Sequence, residues 1–439
     1  MNVANGSGGQ SGSRAPRVLT VLPDFPYPAT SGLQLRHLGN LQLLHRLGCY
    51  NALLYFTTEE QKPGPVDLNS LAGICDEVHH GGQRFPHAGF PAAILAVRKL
   101  GFLLRGAMEL PGRCYPFSMS YDQIGAEAIV VAEARRVRAD FVILASIFMH
   151  YTAALRRNGF RVIVDAADVL TNLSASFMNL EGRGGRLGLY ANYLACRSQE
   201  RIFVKQAAEV WATSASEAEE FRRIAAGVRV LVVPNSLDEQ VVRPAGNAEN
   251  AVAGFIGTYS YRPNLDAAEF LAEQVFPLVQ KECPQAKLQL AGANMPQTAA
   301  SRLRAREGIE LLGRVEDSGQ FMDECAVLAM PVFLRGGVPL KLIEAMARGK
   351  AVVASPELVA GVEVTDGQEL LIRCNPQEYA DAIVALFNDA ELRRRMGTNA
   401  RAAFLRQFSL ASVEERLRRD SVLMERRSSP SHSQPAVSS

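Results

Sequence analysis

Residues 333–355, FLRGGVPLKLIEAMARGKAVVAS, hold the side chains best spaced for chemistry. Gly336 and Gly337 let the backbone turn tightly or approach a ligand. Pro339 suits a first helical turn and Gly349 a stop, so a short helix is expected over 339–348. On it Lys341, Glu344 and Arg348 fall at i, i+3 and i+7 and share one face, with Leu340, Ile343 and Ala347 on a neighbouring one. A glycine-rich turn feeding a helix N-terminus attracts anions, because free N–H groups and the helix dipole point the same way. Lys341 adds a mobile positive charge suited to a diphosphate. Glu344, one turn on, offers two acceptor oxygens to a vicinal diol such as a ribose. The same pattern also describes a solvated polar stripe on a capped helix.

The surrounding chain alternates short apolar, β-branched runs with longer helical patterns. Candidate strands are 17–23, 139–146, 161–166, 209–214 and 229–235; after a polar stretch at 236–250 come 251–257, 287–293, 309–313, 326–333, 350–355 and 369–374. Helix-like segments lie at 264–281, 339–348, 376–388 and 389–407. Continuous apolar strands are buried on both faces, and crossovers of this length join parallel neighbours. Two successive arrays imply an α/β protein of two doubly wound domains, with ligands beyond the carboxyl ends of the strands and the reaction in the cleft between domains. Trp211, within a strand-like run, reads as core packing.

Composition narrows the class. The chain has 439 residues, 48% hydrophobic, and 47 Lys+Arg against 45 Asp+Glu for a net charge of +2. That balance excludes bulk disorder, a collagen-like chain and a polycationic nucleic-acid binder. Seven scattered cysteines form no C-x-x-C pair, which fits a reducing cytoplasm better than a disulfide framework or zinc cage. The Gly/Ser-rich lead 1–16 lacks the apolar core of a signal peptide, and no run of about 18 apolar residues marks a membrane span. Residues 84–113 concentrate Arg84, Arg98, Lys99, Arg105 and Arg113 against Glu109 around an apolar stretch. This segment is either an amphipathic helix packed on the core or a weak contact for an anionic membrane face.

The run G-x-P-L-K-x-x-E-A-M-A-x-G-K-x-V-V-A-S resembles the nucleotide-sugar signature of glycosyltransferase family 4, retaining and metal-independent enzymes of the two-domain GT-B fold. Other stretches follow in the family's order. PDFPYPATSGLQLR (23–36) resembles its first βα loop, with Gly32 approaching the sugar and diphosphate and Arg36 nearby. VVPNSLD (232–238) is similar to its domain junction, IGTYSYRPNLDA (256–267) to the opening of its second domain, and LLGRVED (311–317) to the loop that holds the base, with Gly313 and Arg314. The resemblance implies Lys341, Arg262 and Glu344 as the catalytic set. It implies Gly32, Arg36, Asp168, Gly313, Arg314, Gly336, Gly337, Val338 and Leu340 as substrate-binding. It further implies an acceptor-binding domain over 17–238, a nucleotide-sugar-binding domain over 239–408, a helix over 409–426 packing back on the first domain, and a disordered tail over 427–439. The expected partners are a nucleotide sugar and a glycan or lipid-linked acceptor, with no cofactor, no metal and no nucleic acid. The expected location is the cytoplasm, peripheral on the membrane face.

Two departures bear on activity. The family's first carboxylate, seven residues before Glu344, falls at Gly336, so backbone N–H groups of 336–340 would replace a side chain there. DAADVLTNL (165–173) resembles a D-x-H-D segment with Ala167 at the histidine position; His150, on a nearby strand end, is one substitute. The chain contains no D-x-D pair, the metal-binding motif of the alternative GT-A class. Basic side chains and helix dipoles are left to stabilise a leaving diphosphate, Lys341 first and Arg262 second. Two further readings remain open at this level: a catalytically degenerate scaffold or nucleotide-sugar-binding subunit, and a GT-B nucleotide-sugar epimerase.

Overall fold

The computed structural model describes residues 14–29, 31–57, 64–83, 101, 121, 124–172, 174–175, 186–244, 246, 248–333 and 337–425. Gly336 lies outside them, as does the 84–113 segment except Gly101.

Among the described residues, thirteen strands form two sheets whose strand pairs all run parallel. The first comprises β1 (Arg17–Leu22), β2 (Tyr50–Thr57), β3 (Glu77–Gln83), β4 (Phe141–Ala145), β5 (Arg161–Ala166), β6 (Glu209–Ala212) and β7 (Val230–Val232), in the order β3-β2-β1-β4-β5-β6-β7. The second comprises β8 (Val252–Ile256), β9 (Lys287–Ala291), β10 (Ile309–Gly313), β11 (Val327–Met330), β12 (Ala351–Ala354) and β13 (Leu371–Ile372), in the order β10-β9-β8-β11-β12-β13. In each, the order reverses beside the first strand, at β1/β4 and at β8/β11. Chain crossovers diverge there and leave a crevice at the carboxyl ends. The expected α/β architecture of two doubly wound domains is therefore present.

The helices that matter below are α1 (Gly32–Arg46), α2 (Arg186–Val204), α3 (Ala215–Ile224), α4 (Arg262–Phe270), α5 (Leu340–Ala347), α6 (Ala390–Gln407) and α7 (Leu410–Asp420). Their starts follow local chemistry: Ser31, Ser214, Asp389 and Ser409 each cap a first turn by accepting a backbone N–H. The central strands are buried except at some end residues, and a single core in the second domain joins Phe255 and Leu328 of the sheet to Leu271, Met346 and Phe404 of the helices. After α6 the chain recrosses. Leu237 and Leu410 bond through their backbones at 3.1 Å. Leu410, Val413 and Leu417 of α7 then pack with Leu43 and Leu44 of α1 in the first domain's core.

Two local expectations change and a third holds. The helix expected over 264–281 is interrupted: α4 passes into a π turn at Leu271–Val275, and a new helix starts at Phe276–Glu282. Pro277 is the reason, since it lacks an N–H and its ring excludes the carbonyl four residues back. β2 and β3 were absent from the candidate strands. EVHHGGQ has no apolar alternation and is a strand because β2 pairs with it from Ala52↔Glu77 to Thr57↔Gln83. Trp211 is fully buried as expected, its Nε1 donating to Glu209 Oε1 at 2.7 Å.

Candidate active site

The segments after β1, β5, β8, β9, β10, β11 and β12 converge on one cleft of about 750 Å³ between the domains. From the first domain it is lined by Ser31, Gly32 and Arg36 at the start of α1, by Ala167 and Asp168 after β5, and by Asn235 at the junction. The second domain contributes Tyr261 and Asn264 after β8, Arg314 to Glu316 after β10, Gly337 to Lys341 and Glu344 after β11, and Glu357 after β12. The starts of helices α1 and α5 lie against each other: a Cβ built on Gly32 would stand 3.6 Å from Leu340 Cδ1. Both helix starts line the same cleft, where the positive end of each dipole favours negative charge.

Lys341 occupies the first turn of α5, half-buried. Its Nζ donates to Asn264 Oδ1 at 2.8 Å and to the Ile256 carbonyl at 3.1 Å, and lies 4.2 Å from the Phe255 ring centroid. Burial disfavours its charge and brings its pKa down to about 7. One turn on, both Glu344 oxygens accept from Ser318 Oγ, at 3.2 and 3.0 Å, and Arg348 Nε donates to Oε1 at 3.3 Å. Burial pushes the Glu344 carboxyl upward against those donors. A helix-borne carboxylate held from one side keeps lone pairs for a diol on the other.

Arg36 is almost fully buried. Its Nε and Nη2 hold Asp165 Oδ1 at 3.0 and 2.5 Å, while Nη1 donates to the Val233 carbonyl at 2.9 Å and to Asn235 Oδ1 at 3.3 Å. Asn40 Nδ2 satisfies the second Asp165 oxygen at 2.9 Å. Arg36 therefore borders the cleft but spends its guanidinium on tying α1 to β5 and the junction. Asp168, half-buried, has its carboxyl raised to about 6 by burial, partly offset by Arg36. Across the cleft, burial raises the Tyr261 phenol and the Asp168 charge adds to it. Behind it Glu217 accepts from Thr213 Oγ1, and burial raises its pKa to about 7. Gly337 sits against that threonine: a Cβ there would meet Thr213 Oγ1 at 2.5 Å, so only glycine lets the loop pass.

Among the sequence-derived site residues, the cleft brings together Lys341, Glu344, Gly32, Arg36, Asp168, Arg314, Gly337, Val338 and Leu340. Arg262 is a correction. It starts α4 as an exposed residue, pairs with Asp266 at 2.7 Å, and is not among the cleft-lining residues. An i,i+4 carboxylate on its own helix competes for the guanidinium that a diphosphate would need. Gly313 stands one residue outside the lining, its carbonyl accepting from Gly292 N at 2.6 Å. His150 does not stand in for the missing histidine: it is buried in the first domain with its ring 4.2 Å from that of Tyr151, away from the lining. Sequence reasoning missed Asn235, Tyr261, Asn264 and Ser318. Asn264 and Lys341 are 77 residues apart, and no spacing rule connects them.

Comparison with known proteins places the second domain. Residues 250–389 match the family Glycosyl transferases group 1. An uncharacterized glycosyltransferase of Methanocaldococcus jannaschii is 34% identical over 105 residues, covering 23% of this chain and 29% of that protein, so the match spans under a third of the relative's length. Among solved structures, Anabaena HepE in complex with UDP-glucose superposes with a TM-score of 0.60 at 16% identity, over 92% of this chain and 98% of that one. Staphylococcus aureus TarM, as a mutant in complex with UDP and α-GlcNAc-glycerol, gives 0.64 at 11% identity, over 94% and 100%. Sucrose-phosphate synthase from Thermosynechococcus elongatus gives 0.64 at 14%, over 92% and 98%. Residues 250–389 are thus similar to the group 1 glycosyl transferases, and the chain as a whole has the GT-B fold.

Proposed function

We propose that the protein transfers a sugar from a nucleoside diphosphate sugar to a glycan or lipid-linked acceptor, with retention of anomeric configuration, in the synthesis of a cell-surface polysaccharide or related glycoconjugate. The observation that carries this is the meeting of two helix N-termini, at Gly32 and Leu340, with Lys341 in the interdomain cleft. Breaking a glycosidic bond to a diphosphate builds negative charge on the leaving group, and preorganised donors there lower the barrier. Lys341 and the N–H groups of both helix starts supply them. Glu344 suits the ribose diol, and the backbone after Gly313 suits the base.

In same-face transfer the departing phosphate oxygen takes the acceptor's proton as the new bond forms, so no dedicated general base is needed. That agrees with Ala167 standing where relatives carry a histidine. Asp168 on the acceptor-side wall orients the incoming hydroxyl once ionised. The charge role otherwise filled by a divalent metal falls to these cationic groups, and no cofactor is invoked. Among the described residues, no helix is long and apolar enough to cross a membrane. A cytoplasmic location with peripheral contact to the membrane through residues 84–113 rests on sequence alone; vesicle sedimentation of a variant with Arg98, Lys99 and Arg105 neutralised tests it.

Radiolabelled UDP-, GDP- and dTDP-sugars offered with a lipid-linked acceptor extract decide the activity. Turnover of at least one donor is expected. Nucleotide binding with no turnover of any donor would instead support a binding subunit, the alternative that Gly336 and Ala167 at the expected Glu and His positions raise.

A further inference from the structure

Lys341 is held in the cleft by a side chain to which no motif drew attention. Asn264, in the first turn of α4, accepts from Lys341 Nζ through Oδ1 at 2.8 Å and donates from Nδ2 to the Thr258 carbonyl at 2.9 Å. The second bond settles the amide's orientation, since only the NH₂ group can face a carbonyl. The amide occupies space left by Gly257, where an added Cβ would come within 2.7 Å of Asn264 Cγ. The Ile256 carbonyl at 3.1 Å and the Phe255 ring complete the cage.

We propose that Asn264 is a positioning residue that fixes the Lys341 ammonium at the cleft wall while leaving its charge uncompensated for an incoming diphosphate. The inference rests on the donor-binding reading of the cleft above. A lysine normally loses much rotamer freedom when it engages a ligand. Two acceptors and a ring meet that cost before the donor arrives, and one N–H of the ammonium is left over. Among residues of this size only asparagine meets both demands. Aspartate would face the Thr258 carbonyl with a repelled oxygen and neutralise the lysine; leucine would fill the space and hold neither group.

The ionisable groups that share the cleft with Lys341 are Asp168 and Arg36 from the first domain, Tyr261 after β8, Arg314 and Glu316 after β10, Glu344 on its own helix and Glu357 after β12. Burial, rather than any of these charges, is what depresses the lysine to about 7. A carboxylate placed at 264 would therefore be its first close counter-charge.

The test is competitive acetylation of the full-length protein across pH, read by mass spectrometry on the peptide carrying Lys341, for the parent, Asn264→Asp and Asn264→Leu. The parent midpoint is expected near 7. Asn264→Asp should raise it by at least one unit, and Asn264→Leu should leave it low. In parallel, UDP affinity by calorimetry should fall at least tenfold in both variants. An unchanged midpoint in Asn264→Asp, or UDP affinity within twofold of the parent in both variants, overturns the inference. If the parent itself binds no UDP, the donor-site reading fails instead, and the midpoints still decide whether Asn264 governs Lys341. Should Asn264→Asp misfold, Asn264→Ser, which is too short to reach Nζ, replaces it: a tenfold loss of UDP affinity supports the inference and parental affinity overturns it.

Discussion

Asn235 donates from Nδ2 to the carbonyl of Val338 at 3.1 Å, a bond that runs from the interdomain junction to the loop opening α5. The same side chain accepts from Arg36 Nη1 through Oδ1. One amide thus connects the first domain's buried arginine to the backbone of the loop that opens α5. Loss of a single such bond costs about 1–2 kcal/mol, or roughly tenfold in a binding constant. Asn235→Ala is accordingly expected to lower folding stability by about 1–2 kcal/mol and, by loosening the loop, to weaken nucleotide binding by up to about tenfold. Calorimetric titration with UDP and GDP checks this; an unchanged affinity would mean that the loop is held by other contacts.

Removing Arg36 should act on stability before function. Asp165 is buried and takes two of its hydrogen bonds from this guanidinium, so Arg36→Ala leaves a carboxylate with Asn40 as its remaining side-chain donor. Breaking one side of a buried pair costs about 3–5 kcal/mol, whereas replacing both sides by apolar residues is often neutral. Urea denaturation should show a loss of that size for Arg36→Ala. The double variant Arg36→Met with Asp165→Leu should recover part of it; no recovery would place the cost in packing and not in the orphaned charge.

Lys341→Ala should act the other way round. Its amine is desolvated in the folded protein, so its removal should leave the urea midpoint unchanged or slightly raised. Transfer should fall by about 10²–10³-fold, the usual effect of deleting one donor to a developing negative charge. Steady-state kinetics with the active nucleotide sugar measure this. A variant turning over at the parental rate would remove Lys341 from the diphosphate site.

Two buried carboxyls tie stability to pH. Glu200 of α2 accepts from the N–H groups of Leu170 and Thr171 at 2.7 and 3.1 Å, and Glu217 of α3 accepts from Thr213. Burial outweighs these donors and raises both from 4.5 to about 7. Between those values the folded state binds more protons than the unfolded one, so their contribution to stability falls as pH rises from about 4.5 to 7. His37, held down to about 4 by burial, works oppositely up to about 6.5, so variants and not the parent's slope isolate the effect. Denaturation at pH 5 and 7.5 should show Glu200→Gln and Glu217→Gln losing less stability on the upward step than the parent, by about 1–3 kcal/mol each. Equal losses would mean that both groups are already ionised at pH 5.

The amino-acid order alone settled the alternation of apolar strands and helices, the two doubly wound domains and the helix carrying Lys341 and Glu344. These follow from local periodicity and from capping residues within one turn of the groups they serve. It could not decide what each charged side chain would meet. Arg36 looked like a substrate ligand until folding placed it against Asp165, 129 residues away. Arg262 looked like a diphosphate ligand, yet Asp266 of its own helix holds it at the surface. EVHHGGQ became a strand through the unpaired edge of β2, and the 264–281 helix broke where Pro277 denied it a hydrogen bond. Asn264 acquires its role through a partner 77 residues on, and Asn235 through one 103 residues on. Periodicity reports which face of an element is buried, because burial repeats with the backbone. The partner a polar group finds in a cleft depends on how two sheets and their crossovers come together, and that is decided only in three dimensions.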